Sequence, residues 1–179
     1  MRVSQVLALA RAEAGSYQPV RQHFALAPLA EDLQEKAGPL AQRNGNQLNV
    51  TVQEGEAYTD RDMLLQIVSN LVTNACKFTL NGMVNATLQF KGDALEVEIA
   101  DTGRGIPLAQ QAHVWEEFRQ VDMEEGRRFG GFGLGLAIVK RFTEALGGTV
   151  ALVSEPGSGT SVKVRLPGVV VLSAQTVRG

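Results

Sequence analysis

The chain has 179 residues, and its 17 Lys and Arg against 19 Asp and Glu give a formal net charge of −2 at pH 7. This near-neutral balance, with both signs interspersed, lacks the basic field of nucleic-acid-binding and membrane-surface domains. The lone cysteine excludes an internal disulfide, and no apolar run approaches the roughly 20 residues of a membrane-spanning helix, so we expect one cytoplasmic globular domain that contacts neither nucleic acid nor membrane.

The first half of the chain predicts helices separated by one strand. Residues 1–14 have the pattern of the end of a helix, closed by the breaker "GSYQP". A second helical pattern covers residues 26–45 and contains Pro39, which should kink or split the helix before it ends at Gly45. "NQLNVTV" alternates apolar and polar residues as a half-exposed strand does, and the strongest helical pattern runs from Asp60 to about Thr79.

The second half predicts strands joined by tight turns. Apolar and polar residues alternate over 84–90 and 94–101, with "GD" between the two runs, and again over 149–155 and 160–167, with "PGSG" between them. Such alternation gives each strand one solvent-exposed face and one buried face. We therefore predict an α/β two-layer sandwich of the α+β kind, in which three main helices pack on one face of a mixed, mostly antiparallel sheet of about five strands.

Two asparagines and a lysine lie beside the apolar stripe of the strongest helix. At about 100° per residue, Asn70, Asn74 and Lys77 share one narrow band of the helix surface. Asparagine is a mediocre helix former, so two in mid-helix call for a reason. An amide oxygen can bind a hard cation such as Mg²⁺ and an ammonium can meet a phosphate, but a partly solvated polar face would look the same.

Asp101 shares the buried face of its predicted strand with Leu95, Val97 and Ile99. An unpaired charge is costly there, so this carboxylate should meet a donor such as the exocyclic amine of adenine. The glycines of the following "TGRG" would let the chain turn closely around a flat base. The alternative is an aspartate that caps its own turn.

The segment "GGFGLGLAIVK" predicts a glycine-rich loop that enters an amphipathic helix. Its apolar stripe continues through Leu136, Ile138, Val139 and Phe142. Unpaired amides and the positive end of the helix dipole make such a start a phosphate site. The loop lacks the Gly-Lys-Ser/Thr of a Walker A motif, and it has no strand before it as a dinucleotide fingerprint requires.

Five motifs of the chain, in order and with their spacing preserved, resemble those of sensor histidine kinase catalytic domains. They are "NLVTNACKFT", "DTGRGI", "VWEEFRQVD", "GGFGLGLAIVK" and "GSGTSVKVRLP". The resemblance implies the Bergerat fold, shared with gyrase, mismatch-repair and heat-shock ATPases. It also implies the end of a dimerisation helix and a linker over 1–20, the catalytic domain over 21–167 with a mobile ATP lid over about 108–132, and a tail or linker over 168–179.

The resemblance assigns the phosphate end of an ATP site. Asn74 would coordinate Mg²⁺ with Asn70 nearby, and Lys77 would face the phosphates. The backbone amides presented to the triphosphate would belong to Gly131, Gly133, Leu134 and Gly135. Either Arg127 or Arg128 could approach the γ-phosphate, and donors around the transferring group are what its transition state requires.

The resemblance also assigns the base end of the site. Asp101 would bind the adenine amine, supported through water by Thr160, while Phe78 and Ile106 would flank the base. The glycines of the turn implied to approach the nucleotide are Gly103 and Gly105. The cofactors implied are therefore ATP and Mg²⁺.

The activity implied is transfer of the ATP γ-phosphoryl group to a histidine on a separate phosphoacceptor domain, with a response regulator or receiver domain downstream. His23 and His113 lie outside the acceptor context of the family, so this chain is expected to lack its own acceptor. Two alternatives stay open, an ATPase of the same fold and a nucleotide-binding regulatory module. The family's ATPases carry a glutamate one turn before the metal asparagine, where this chain has Asn70, which favours transfer over hydrolysis.

Overall fold

The computed structural model describes residues 18–116 and 135–169. The elements in chain order are β1 (Gln22–Ala25), α1 (Leu29–Arg43), β2 (Gln47–Val52), β3 (Glu56–Thr59), α2 (Arg61–Phe78), β4 (Met83–Lys91), β5 (Ala94–Asp101), α3 (Leu108–Gln111), α4 (Gly135–Ala145), β6 (Thr149–Glu155) and β7 (Gly159–Leu166). The helix predicted over 1–14 lies outside the described residues, as does most of the predicted lid.

Five strands form one mixed sheet in the order β2-β4-β5-β7-β6. The β2–β4 pair is parallel and the other three pairs are antiparallel, which confirms the predicted mostly antiparallel sheet. Alternate residues of the central strands are buried, among them Val84, Ala86, Val97 and Ile99. Helices α1, α2 and α4 pack on this apolar side, so the two-layer architecture is confirmed.

The central helix α2 has the bounds that its sequence predicts. Asp60 is its N-cap, and its carboxylate accepts a hydrogen bond from the amide of Met63 at 2.9 Å. Leu64, Ile67 and Val68 are buried in the core, while Asn74 and Lys77 are half-buried at the border of the interface. Among the described helices, none is both long and apolar enough to cross a bilayer.

The predicted break at Pro39 does not split the second helical segment. Helix α1 runs without interruption from Leu29 to Arg43 with Pro39 inside it. A proline removes the hydrogen bond to the carbonyl four residues earlier, which here belongs to Glu35. Because Glu35 and Pro39 are both exposed, water can reach this end of the missing bond, while the buried Leu33 and Ala37 keep the helix on the core.

A second, two-stranded sheet pairs β1 with β3 and was not predicted. Each strand has four residues, too few for the alternation of apolar and polar residues to stand out. The chain after β7 is held beside this sheet, because the carbonyl of Val169 accepts from the Tyr58 amide at 2.7 Å and its own amide donates to the Asp93 carbonyl at 2.9 Å. Val169 is buried, so the domain packs at least this far into the predicted tail.

The side chain of Asn46 closes the C-terminal end of α2. Its amide nitrogen donates to the carbonyl of Cys76 at 3.0 Å and to that of Thr79 at 2.8 Å, and its oxygen accepts from the Gly82 amide at 3.1 Å. The neighbouring Asn44 donates to the same Cys76 carbonyl at 2.9 Å. The loop between α1 and β2 therefore fixes the helix end that carries the functional side chains described below.

Replacing Asn46 by alanine should lower the free energy of unfolding by about 3 kcal/mol, since three hydrogen bonds at roughly 1 kcal/mol each are lost. The matched variant Asn44→Ala removes one bond and leaves the Cys76 carbonyl with its second donor. It should therefore cost only about 1 kcal/mol. Urea unfolding monitored by circular dichroism measures both, and equal costs for the two variants would contradict this reading of the loop.

Candidate nucleotide site

A cavity of about 640 Å³, counted with its open mouth, lies between α2, the start of α4 and the ends of β5 and β7. Its walls are mostly apolar and include a few polar side chains, as is usual for small-molecule sites. The lining residues are Leu71, Asn74, Ala75, Phe78, Ile99, Asp101, Arg104, Gly105, Ile106, Leu136, Thr160 and Val162.

Asp101 is the carboxylate in this wall. Its Oδ1 accepts hydrogen bonds from the amide of Gly103 at 2.8 Å and from that of Thr160 at 3.3 Å. Among the described residues these two amides are the hydrogen-bond donors to the carboxylate, and both meet Oδ1, while the nearby Thr79 hydroxyl makes no hydrogen bond of ordinary geometry. Burial raises the pKa of this carboxyl, against the Gly103 and Thr160 amides and the nearby Thr79 hydroxyl, which lower it.

Two apolar side chains predicted to flank a base, Phe78 and Ile106, both line the cavity. The Phe78 ring also makes two cation–π contacts: the Lys77 ammonium lies 4.9 Å and the Arg104 guanidinium 5.0 Å from its centroid. Lys77, predicted to face phosphates, is not among the residues that line the cavity, and its ammonium lies beside this ring. Arg104 lines the cavity but was not predicted as a site residue. Its position within the predicted glycine turn "TGRG" is the sequence feature that indicates it.

Close backbone contacts explain the glycines after Asp101. Gly105 has φ of +68°, and a β-carbon there would collide with the carbonyl of Glu155. A β-carbon at Gly103 would lie 2.6 Å from the carbonyl oxygen of Phe78. The turn is thereby pressed between the end of α2 and the β6–β7 hairpin, which brings Asp101 and Ile106 to the same cavity.

At the other end of the cavity, Asn74 faces the first residue of α4. A β-carbon on Gly135 would lie 3.4 Å from the Asn74 amide nitrogen, so the start of α4 and this side chain are adjacent. The positive end of the α4 dipole thus points to the region that Asn74 borders. The resemblance assigns Mg²⁺ to Asn74 and the triphosphate to Gly135, and these two residues are neighbours in the structure.

Asn70 lies outside the cavity wall and is 5% exposed. Its amide oxygen accepts from the Gln66 side chain at 3.1 Å, and its nitrogen lies 3.4 Å from the Gly135 carbonyl oxygen, to which it donates. The solvated polar face that the sequence left open is therefore wrong for Asn70. The side chain joins α2 to the first turn of α4, a contact across 65 positions that no local pattern reveals.

The remaining predicted residues divide into two groups. Thr160 lines the cavity next to Asp101, its partner in the β5–β7 register. The predicted Arg127, Arg128, Gly131, Gly133 and Leu134 lie outside the described residues. The apolar lining residues not singled out as site residues are Leu71, Ala75, Ile99, Leu136 and Val162, and they continue the apolar stripes and strand faces already recognised in the sequence.

The described protein oxygen atoms near Asn74 are too few to hold Mg²⁺ alone, but they suit an ion that is also bound by the phosphates of a nucleotide. Among the described residues, no group of three or more His, Cys, Asp or Glu side chains could hold a metal. Mg²⁺ ordinarily keeps several waters and takes one or two protein oxygens beside substrate phosphates. A single amide oxygen at the edge of the cavity meets that requirement, whereas a resident metal would need a fuller set of ligands.

Comparison with known proteins agrees with this geometry. The model of the family described as histidine kinase-, DNA gyrase B-, and HSP90-like ATPase matches residues 59–169. The chain is 37% identical over 172 residues to the circadian input-output histidine kinase CikA of Synechococcus elongatus, covering 92% of this chain and 22% of CikA. It is also 37% identical over 177 residues to the autoinducer 2 sensor kinase/phosphatase LuxQ of Vibrio parahaemolyticus, covering 92% of this chain and 20% of LuxQ.

The solved structures include a similar fold with a bound nucleotide analogue. The crystal structure of full-length ShkA in complex with AMPPNP superposes with a TM-score of 0.83 and 30% sequence identity, covering 96% of this chain and 36% of that chain. The chain spans about a fifth of the length of the two curated relatives. The two-layer sheet-and-helix architecture is therefore that of histidine kinase catalytic domains.

Proposed function

Because the chain belongs to the family of histidine kinase-, DNA gyrase B- and HSP90-like ATPases, we propose that it is the ATP-binding catalytic domain of a sensor histidine kinase. In this role it binds ATP and transfers the γ-phosphoryl group to a histidine on a separate phosphoacceptor domain. The histidine kinase CikA and the sensor kinase/phosphatase LuxQ, each similar over 92% of this chain, support the assignment.

The observation that supports the proposal most directly is that the two oxygens of the Asp101 carboxylate have different surroundings. Two backbone amides hold Oδ1, and Oδ2 is left to accept from a ligand between the apolar side chains of Phe78 and Ile106. A flat heteroaromatic ring with an exocyclic amine satisfies both features at once, and adenine is such a ring. Thr160, the register partner of Asp101 in the cavity wall, would support the same amine.

The triphosphate would extend from this base pocket toward Asn74 and the start of α4. Gly135 would offer its amide there, together with the predicted Gly131, Gly133 and Leu134. Bound between the phosphates and the Asn74 oxygen, Mg²⁺ would neutralise charge on the transferring group. Lys77, whose ammonium lies 4.9 Å from the centroid of the Phe78 ring, would face the phosphates, and Arg127 or Arg128 would complete the cationic surroundings.

Transfer is favoured over hydrolysis by the chemistry of the described cavity wall. Asp101, at the base end, is the one carboxylate among the described lining residues. Asn70 cannot take a proton from water, and its amide is already bonded to Gln66 and Gly135. A neutral imidazole needs no such base, since positioning and charge neutralisation suffice for phosphoryl transfer to it.

The acceptor would come from a partner domain rather than from this chain. His113 bonds Glu116 at 2.6 Å, His23 packs its ring 4.7 Å from that of Tyr58, and neither lines the cavity. The proposed partners are the phosphoacceptor hairpin domain of the same full-length protein and a downstream response regulator or receiver domain. The proposed location is the cytoplasm.

Incubating the chain with γ-labelled ATP, Mg²⁺ and its phosphoacceptor domain should give an acid-labile label on that domain. The matched control is the same domain with its acceptor histidine replaced by alanine, which should stay unlabelled. Without an acceptor, we expect little release of inorganic phosphate. ATP binding without any label would favour the regulatory module, and rapid acceptor-independent phosphate release would favour an ATPase.

A further inference from the structure

Ser154 lies on β6 behind the polar end of the cavity wall. It is the register partner of Thr160, which lines the cavity, whereas Ser154 itself does not. Its hydroxyl makes three close contacts, at 2.8 Å to the Ile106 amide, 2.8 Å to the Thr160 hydroxyl and 3.0 Å to the Gly159 carbonyl. One serine thus touches both segments that form the base end of the site.

The number of hydrogens fixes the direction of these bonds. A serine hydroxyl has one proton to donate and two lone pairs to accept with. The Gly159 carbonyl can only accept and the Ile106 amide can only donate. All three bonds form together in one arrangement, in which Ser154 donates to Gly159 and accepts from both Ile106 and Thr160. The Thr160 proton therefore points to Ser154 and away from the cavity.

Thr160 consequently offers lone pairs to a ligand, as Asp101 Oδ2 does beside it. Two acceptors side by side match an amine, which has two hydrogens to donate. They oppose a carbonyl oxygen, because that oxygen brings lone pairs against lone pairs. The two acceptors therefore favour purines with an amine at C6 over purines with a carbonyl oxygen at C6.

We propose that Ser154 is a positioning residue that orients the Thr160 hydroxyl and so contributes to selection of adenine over 6-oxopurines. The proposal rests on the proposed function, because it concerns the base of the same nucleotide. Asp101 supplies the first part of this selection and the Ser154–Thr160 pair the second. A freed Thr160 hydroxyl could rotate and donate to an oxygen at C6.

Isothermal titration with adenosine and inosine triphosphate tests the proposal, since these nucleotides differ in the base at the C6 substituent and the N1 proton that accompanies it. The ratio of the two affinities should fall about tenfold in Ser154→Ala, as one hydrogen bond changes direction. Ser154→Thr keeps the hydroxyl and should keep the ratio. Ser161→Ala is the matched control, because this serine on the same hairpin bonds Glu98 at 3.1 Å and does not line the cavity.

A merely structural role for Ser154 would weaken both nucleotides equally and leave the ratio unchanged, which would overturn the proposal. Ser154→Cys keeps the shape with a weak donor and should lower the ratio in the same direction if the alanine variant folds poorly. In a Thr160→Val background, Ser154→Ala should no longer alter the ratio. Failure of the unsubstituted chain to bind either nucleotide would instead refute the proposed function itself, and this inference with it.

Discussion

Replacing Asp101 by asparagine should lower the affinity for ATP by on the order of 100-fold. The two side chains have the same shape, and the asparagine oxygen can still accept from the Gly103 and Thr160 amides. The new amide nitrogen would then stand where Oδ2 is proposed to accept from the adenine amine, so two donors would face each other. Isothermal titration with ATP measures the loss.

The matched control for this variant is Glu98→Gln on the same strand. Glu98 faces the opposite side of the sheet, where it meets Lys163 at 3.4 Å, and it does not line the cavity. Its replacement makes the same change of charge and should leave ATP affinity unchanged. Near-unaltered affinity in Asp101→Asn, or an equal loss in both variants, would refute the pocket assignment.

Without nucleotide, the same substitution should stabilise the domain at neutral pH. Burial raises the pKa of Asp101 in the folded state, so the folded state binds this proton more tightly than the unfolded chain does. The charged carboxylate therefore costs stability above the raised pKa, and that cost shrinks as the pH falls below it and is gone below the pKa of the unfolded chain. Unfolding measured across the acidic range should show a smaller pH dependence for Asp101→Asn in that window, and greater stability than the unsubstituted domain above it.

The sequence predicted those parts of the site that repeat along one element. Because Asp101 alternates in step with the buried Leu95, Val97 and Ile99, the sequence predicts its position on the cavity side of the sheet. The apolar stripe of α2 likewise predicts Asn74 at the border of the helix–sheet interface. Both predictions depend on periods of two or 3.6 residues, which local backbone geometry imposes. The five-strand sheet and the bounds of α2 were confirmed for the same reason.

The polar contacts that complete the site could not be predicted in this way. Asn46 closes α2 from about 30 positions away, Asn70 reaches Gly135 across 65, and Ser154 meets Ile106 across 48. Each bond depends on how separate elements dock, and a single polar residue leaves no periodic signal. The short strands β1 and β3 escaped prediction because four residues cannot show a period clearly.

Replacing Asn74 by alanine should abolish the dependence of ATP affinity on Mg²⁺ and lower phosphoryl transfer by on the order of 100-fold. The amide oxygen beside Gly135 is the protein ligand proposed for the ion, and in the proposed mechanism that ion neutralises charge on the transferring phosphoryl group. The base pocket is untouched, so ATP measured in EDTA should bind the variant and the unsubstituted chain alike.

Thr73→Ala is the control on the preceding residue of the same helix. The Thr73 hydroxyl bonds the Ser69 carbonyl at 2.7 Å within α2 and does not line the cavity, so its removal should change neither quantity. Titrating ATP with and without Mg²⁺ distinguishes binding of the base from the Mg²⁺-dependent binding of the phosphates. If Mg²⁺ strengthened ATP binding equally in Asn74→Ala and in the unsubstituted chain, the ion would be held elsewhere, and the phosphate end proposed at the start of α4 would be wrong.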